Sequence, residues 1–226
     1  MDFTSFFNEL KNDNDFKRFY ELIVDRNKKF NLTAILNEEE FMIKHVVDSL
    51  YFNEFYKKDS SIVEIGSGAG FPSVPIKIKR RDLKFTLVES NEKKCGFLNE
   101  VKQELGFSDF SVLCGRAEEL SQKEGYLDGF DYAVARAVAP LNVLCELLLP
   151  FVKVGGCAVA YKGANYGEEV DSSVNALKTL CGEIAEIKKY SLPSDMGERA
   201  LIIIKKTAPT PEGFPRRYAK IKKCPL

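Results

Sequence analysis

The chain lacks any stretch of about 18 uncharged apolar residues, so no membrane-spanning helix is expected. Its start, Met1-Asp2-Phe3-Thr4, lacks the basic-then-apolar pattern of a secretion signal, and a cytoplasmic protein is expected. Net charge is zero, 33 Lys and Arg against 33 Asp and Glu, which removes any global pull toward nucleic acid. Cys95, Cys114, Cys145, Cys157, Cys181 and Cys224 form no C-x-x-C and have no close histidine partner. That scatter reads as reduced, mostly buried thiols, with no metal site and no disulfide framework. His45 is the only histidine. There is no internal repeat and no low-complexity segment, and 226 residues suit one domain, or one domain with a small appendage.

What is present centres on Ser61-Ile62-Val63-Glu64-Ile65-Gly66-Ser67-Gly68-Ala69-Gly70-Phe71. A β-branched run breaks into glycines at every second position, the pattern of a strand, a tight turn and a helix start that let backbone approach a ligand closely. A dinucleotide fingerprint would need its third glycine at position 71, where the chain has Phe71. The G-x-G-x-G spacing instead resembles the S-adenosylmethionine loop of class I methyltransferases; a glycine turn with no ligand is the alternative.

The first sixty residues read as helices. Phe3, Phe6, Phe7 and Leu10 recur at helical spacing, as do Phe16, Phe19, Tyr20 and Ile23, and Asn37 caps a helix running to about Leu50. From Ser61 strands and helices alternate. Strands are expected at 61–65, 84–89, 110–114, 130–135, 157–162, 184–191 and 199–206, with helices near 72–79, 91–105, 142–149 and 167–180. Repeated β-α-β units imply a parallel sheet covered on both faces. The last two strands have only a short link around Pro193–Gly197, so they pair as an antiparallel hairpin. The expected fold is α/β: a Rossmann-like, mainly parallel seven-stranded sheet with that terminal hairpin. Residues 1–58 form a helical extension, 59–208 the main domain and 209–226 a basic tail.

Ligands in open α/β sheets sit beyond the carboxyl ends of the strands. The first strand delivers Gly66, Gly68 and Gly70; the second ends at Glu89, a carboxylate suited to ribose hydroxyls or to helix capping. The third leads into Gly115-Arg116-Ala117-Glu118, where a backbone N–H and a carboxylate could read an adenine edge, Glu118 serving otherwise as a helix-start charge. The fourth ends at Arg136, which needs an anionic partner, either a cofactor carboxylate or an acidic side chain.

In order along the chain stand Asn31-Leu32-Thr33-Ala34, Lys44-His45-Val46-Val47-Asp48-Ser49-Leu50, the glycine loop with Phe71-Pro72, Gly115-Arg116-Ala117-Glu118 and Ala135-Arg136-Ala137-Val138-Ala139. Lys162-Gly163 with Glu168-Glu169 follow, then Phe214-Pro215-Arg216-Arg217 and Pro225-Leu226. This combination closely resembles the bacterial RsmG (GidB) family. The resemblance implies an S-adenosylmethionine-dependent enzyme that methylates N7 of a guanine in 16S rRNA, guanine 527 in the decoding-region loop. It further implies cofactor contacts from Gly66, Phe71, Ala117, Glu118 and Arg136. Ser73 and Glu89 stand where many members have glycine and aspartate. The expected partner is 16S rRNA within the 30S subunit or its precursor, bound by a monomer that does not engage membranes.

The chain has no Asn/Asp-Pro-Pro-aromatic loop for exocyclic amines and no Pro-Cys nucleophile for cytosine C5. Guanine N7 carries a free lone pair and needs no base, so no conventional catalytic residue is expected; His45, Asp48 and Arg136 are the candidates. His45 is a structural helical histidine or, with Asn31 and Asp48, part of a polar wall over cofactor or base. Phe71 either shields the cofactor or faces the core. Lys162 meets RNA phosphate or caps a loop. Arg216, Arg217, Lys220, Lys222 and Lys223 are expected on phosphates, and removing residues 214–226 is expected to spare cofactor affinity. A methyltransferase for a small molecule is the alternative; it leaves the tail unexplained.

Overall fold

A computed structural model describes the backbone of residues 3–226 and, beyond residues 3–5, their side chains. The start Met1-Asp2 and the expected core side chain of Phe3 lie outside what it describes. Seven strands form one sheet in the order β3-β2-β1-β4-β5-β7-β6. They are β1 Ser61–Ile65, β2 Lys84–Glu89, β3 Phe110–Cys114, β4 Phe130–Arg136, β5 Val152–Gly163, β6 Gly182–Ser191 and β7 Glu198–Lys206. β1 to β5 run parallel, and β7 pairs antiparallel with both β5 and β6.

Alternate residues of β1 point to opposite faces, Ile62 into one core and Val63 and Ile65 into the other. The first core packs the helices Asn14–Asn27, Ser73–Lys79 and Glu92–Glu104 on the sheet through Phe16, Phe19, Ile23, Val74 and Phe97. Leu10, Phe16, Phe19 and Ile23 are fully or almost fully buried there, as their spacing predicts. The second core holds the helices Leu141–Leu148 and Val174–Thr179 and, from the tail, Ile221. Asn91 caps its helix by accepting from the N–H groups of Lys93 and Lys94, and Gly106 ends it with a φ of 59°. The cysteines are free, but Cys114 and Cys224 are exposed and only Cys95 and Cys145 buried, which corrects the expectation of mostly buried thiols.

One feature lies beyond the reach of sequence periodicity. The helix over residues 38–50 opens on its Asn37 cap, then widens into a π-helix over Met42–Val47 before resuming at Asp48. Single π turns inside α-helices recur at functional sites, and this one carries His45.

Candidate functional site

The glycine loop between β1 and the helix Ser73–Lys79 is held from below. Gly66 has a φ of 66°, and a Cβ there would meet Val138 at 2.8 Å. Gly70 has a φ of 91°, and a Cβ there would strike Val74 at 2.5 Å. Both positions therefore demand glycine. Glu89, at the end of β2, accepts from the N–H of Gly68 at 2.9 Å and of Asn91 at 2.8 Å, so it braces the loop. Beside it lies a small pocket of about 150 Å³, lined among others by Gly66, Ala117, Glu118, Val138 and Tyr218. Glu118 is only 8% exposed, and its carboxylate has no hydrogen-bond partner among the described residues.

Across Val138 opens a second cavity of about 620 Å³, lined by His45, Asp48, Arg136 and Lys162 among others. Val138 borders both spaces. Arg136, carried in by the last residue of β4, donates to Asp48 Oδ2 at 2.9 Å, to the carbonyl of Lys44 at 3.0 Å and to His45 Nδ1 at 2.9 Å. Its anionic partner is thus an acidic side chain. Tyr190 donates to the other oxygen of Asp48 at 2.7 Å, so both oxygens are committed.

A guanidinium can only donate, so His45 Nδ1 accepts and the ring proton sits on Nε2, which donates to Thr33 Oγ1 at 2.9 Å. Burial, reinforced by the positive charge of Arg136, pushes the His45 pKa down to about 3, and the ring stays neutral at ordinary pH. The polar wall holds His45 and Asp48, but its third member is Thr33; Asn31 is exposed and lines neither space. Phe71 faces the core. Its ring stacks on His45 with centroids 4.3 Å apart, lies near Phe19 and Phe41, and borders neither space.

Lys162 is clasped to a loop: its Nζ donates to the carbonyl of Ala139 at 2.7 Å and to Glu169 Oε2 at 2.6 Å. Glu169 Oε2 also accepts from the N–H of Leu141, so the pair ties β5 and the helix Tyr166–Ser172 to the segment after β4.

The tail departs from expectation. Glu146 is fully buried, and the backbone N–H, Nε and Nη2 of Arg216 all donate to it, at 2.8, 2.8 and 2.6 Å. A buried carboxylate left unpaired is costly, which explains why this arginine is spent inside the protein. Ile221 is buried, and Tyr218 reaches the small pocket, where the guanidinium of Arg116 lies over its ring at 5.4 Å. The segment is therefore part of the wall beside Glu118. Arg217, Lys220, Lys222 and Lys223 stay exposed with no ion-pair partner among the described residues. Among the described residues no group of three or more His, Cys, Asp or Glu is arranged to hold a metal ion, and no helix is long and apolar enough to cross a membrane.

The sheet order with its terminal antiparallel hairpin, and the loop-and-carboxylate cradle at its carboxyl edge, define a Rossmann-like methyltransferase fold. Solved structures share it. A TYW2 from P. horikoshii, in complex with MeSAdo, superposes with a TM-score of 0.57 at 16% identity, covering 72% of this chain and 63% of that one. A geranyl diphosphate methyltransferase in complex with GPP and sinefungin gives 0.54 at 13% identity, covering 71% and 77%. Residues 12–199 match the GidB family, rRNA small subunit methyltransferase G. The "Ribosomal RNA small subunit methyltransferase G" of Caldicellulosiruptor bescii is 46% identical over 92% of this chain and 90% of its own length. That of Alkaliphilus metalliredigens is 43% identical over 92% and 88%. The chain belongs to this family.

Its cofactor is S-adenosylmethionine, and the residues present fit that group. Gly66 and Gly68 leave the backbone bare where a Cβ would intrude or strain, and Glu118 offers a buried, uncommitted carboxylate in the small pocket beside the N-terminus of the helix Ala117–Leu120.

Proposed function

We propose that the protein methylates N7 of a guanine in 16S rRNA, guanine 527 of the decoding-region loop, within the 30S subunit or its precursor. It works in the cytoplasm as a monomer. One observation carries this reading: the two side chains of the cavity held against Arg136, His45 and Asp48, have no atom free to remove a proton. Both ring nitrogens of His45 and both oxygens of Asp48 are committed, and His45 is far too weak a base. An acceptor that must lose a proton before attack finds no base in His45 or Asp48; the N7 lone pair needs none.

S-adenosylmethionine supplies an electrophilic methyl group on a sulfonium. The chain's own residues orient. Gly66, Gly68 and Gly70 shape the loop and Glu89 braces it; Glu89 would stand by the ribose of the bound cofactor, and Ala117 and Glu118 would hold its adenine edge. Arg136, His45 and Asp48 form a rigid polar wall rather than a proton relay. Alignment of the reacting groups alone can supply roughly 7–11 kcal/mol of the barrier. Arg217, Lys220, Lys222 and Lys223 contact phosphates and steer the encounter.

Labelled methyl transfer to 30S subunits from cells lacking the enzyme, followed by mapping of the modified nucleotide, tests the reading. The modification should map to guanine 527. Transfer to a small metabolite with none to the subunit would favour the alternative.

A further inference from the structure

We propose that Glu169, backed by Lys162, is the residue that selects guanine, accepting from the N1–H and N2–H2 edge of the target base. This rests on the cavity of about 620 Å³ being the acceptor site, as proposed above.

Guanine presents two adjacent donors, N1–H and N2–H2, that adenine lacks, and a single carboxylate oxygen, with two lone pairs, can accept from both. Two carboxylates line the space, Asp48 and Glu169. Asp48 is 4% exposed and has both oxygens taken, by Arg136 and Tyr190. Glu169 is 30% exposed; its Oε2 is held by Lys162 and Leu141, and its Oε1 accepts no hydrogen bond among the described residues. Two donors pin one oxygen, so the carboxylate presents the other in a fixed direction, which is the preorganisation a reader of base edges needs. With only two acceptors engaged, the Lys162 ammonium retains a third N–H for the base's O6.

The lateral order of the sheet agrees. The glycine loop and Glu89 sit at the ends of β1 and β2, β4 lies next to β1, and Lys162 and Glu169 belong to β5 and the helix after it, one strand further out. N7 and the N1/N2 edge lie on opposite sides of a purine. A base with N7 turned toward the cofactor side therefore presents its N1/N2 edge toward Glu169.

The test pairs a substitution in the protein with one in the base. kcat/KM is measured on 30S particles carrying guanosine or inosine at the target position, with wild type and Glu169→Gln. Inosine lacks only the N2 amine. Wild type should prefer guanosine by about 10-fold or more, the scale of a hydrogen bond to a charged acceptor. Glu169→Gln should lose activity on guanosine, and its guanosine-to-inosine ratio should collapse toward one while its cofactor affinity by calorimetry stays at the wild-type value. Equal wild-type rates on both substrates would overturn the proposal, as would a Glu169→Gln enzyme that keeps the wild-type ratio; Glu169 would then be only a loop clasp. Should Glu169→Gln lose cofactor binding, Glu169→Asp takes its place and is judged by the same ratio. A wild type that binds cofactor yet methylates neither particle would sink the proposed function itself, and this assignment with it.

Discussion

Arg136 and His45 form a one-way hydrogen bond: the guanidinium donates to Nδ1 across 2.9 Å, and the ring is thereby locked as the tautomer protonated on Nε2. A cation that the end of β4 brings into the protein thus settles the tautomer of the only histidine and leaves its ring no free nitrogen in the cavity.

The depressed His45 pKa has a measurable consequence for stability. The unfolded chain takes up this proton near pH 6.5, the folded one only near 3. The unfolded state therefore binds more protons between those values, and the contribution of His45 is full above pH 6.5 and falls as pH drops. The slope is about 1.4 kcal/mol per pH unit. Denaturant titrations of wild type and His45→Asn should show the stability difference between them shifting by about 2 kcal/mol against the wild type from pH 7 to 5. A difference that does not move with pH would show that His45 titrates normally in the folded state.

Glu64 acts in the opposite direction. It lies fully buried on β1, accepts from the N–H of Ser73 at 3.1 Å, and leaves Oε1 without a partner. Burial pushes its pKa from 4.5 up to about 8, so the folded state holds the proton longer than the unfolded one. Its contribution is full below pH 4.5 and is lost as pH rises toward 8. Glu64→Gln, neutral at every pH, should gain on wild type by about 3 kcal/mol between pH 5 and 8. Parallel pH profiles for the two proteins would contradict this.

Arg216 and its neighbour Arg217 should separate cleanly. Arg216→Met strands the buried Glu146 carboxylate, a loss of about 3–5 kcal/mol for a broken buried pair. It should release Tyr218 from the pocket wall and weaken S-adenosylmethionine binding in calorimetry. Alanine at Arg217, Lys220, Lys222 and Lys223 should leave that affinity alone and flatten the salt dependence of binding to 30S particles, roughly in proportion to the phosphate contacts removed. Loss of cofactor binding in the second set, or its retention in Arg216→Met, would reverse the assignment.

Gly66 and Val138 should be coupled in stability. Gly66→Ala suffers both a left-handed φ and a clash with Val138 at 2.8 Å. Val138→Ala removes the clash and leaves only the backbone strain of about 1–2 kcal/mol. The double variant should therefore lie above the sum of the singles in a double-mutant cycle, by about 0.5–3 kcal/mol. Strict additivity would place the cost of alanine wholly in the backbone.

The strands were legible because most are short β-branched or apolar runs bounded by turn residues. All seven appear in place, with β5 longer at its start because Val152 already pairs with Phe130. The glycine loop was legible from its spacing alone. Partnerships were not. Whether Arg136 meets a ligand or Asp48, and whether Lys162 meets RNA or Glu169, depends on which strand ends and helices the fold brings together. The π turn around His45 leaves no mark in a pattern of apolar residues at period 3.6. Arg216 and Arg217 look alike in a basic tail; only the buried Glu146 distinguishes them. Glu169 stood in a recognised motif, but its role required knowing which of its two oxygens is free.

The most direct test of the whole account is the chemical identity of the product. Purified enzyme, 30S particles lacking the modification and labelled S-adenosylmethionine should yield, after digestion to nucleosides and mass spectrometry, 7-methylguanosine as the labelled species. Label found instead on an exocyclic amine, a ring carbon or a ribose hydroxyl would contradict methyl transfer to N7.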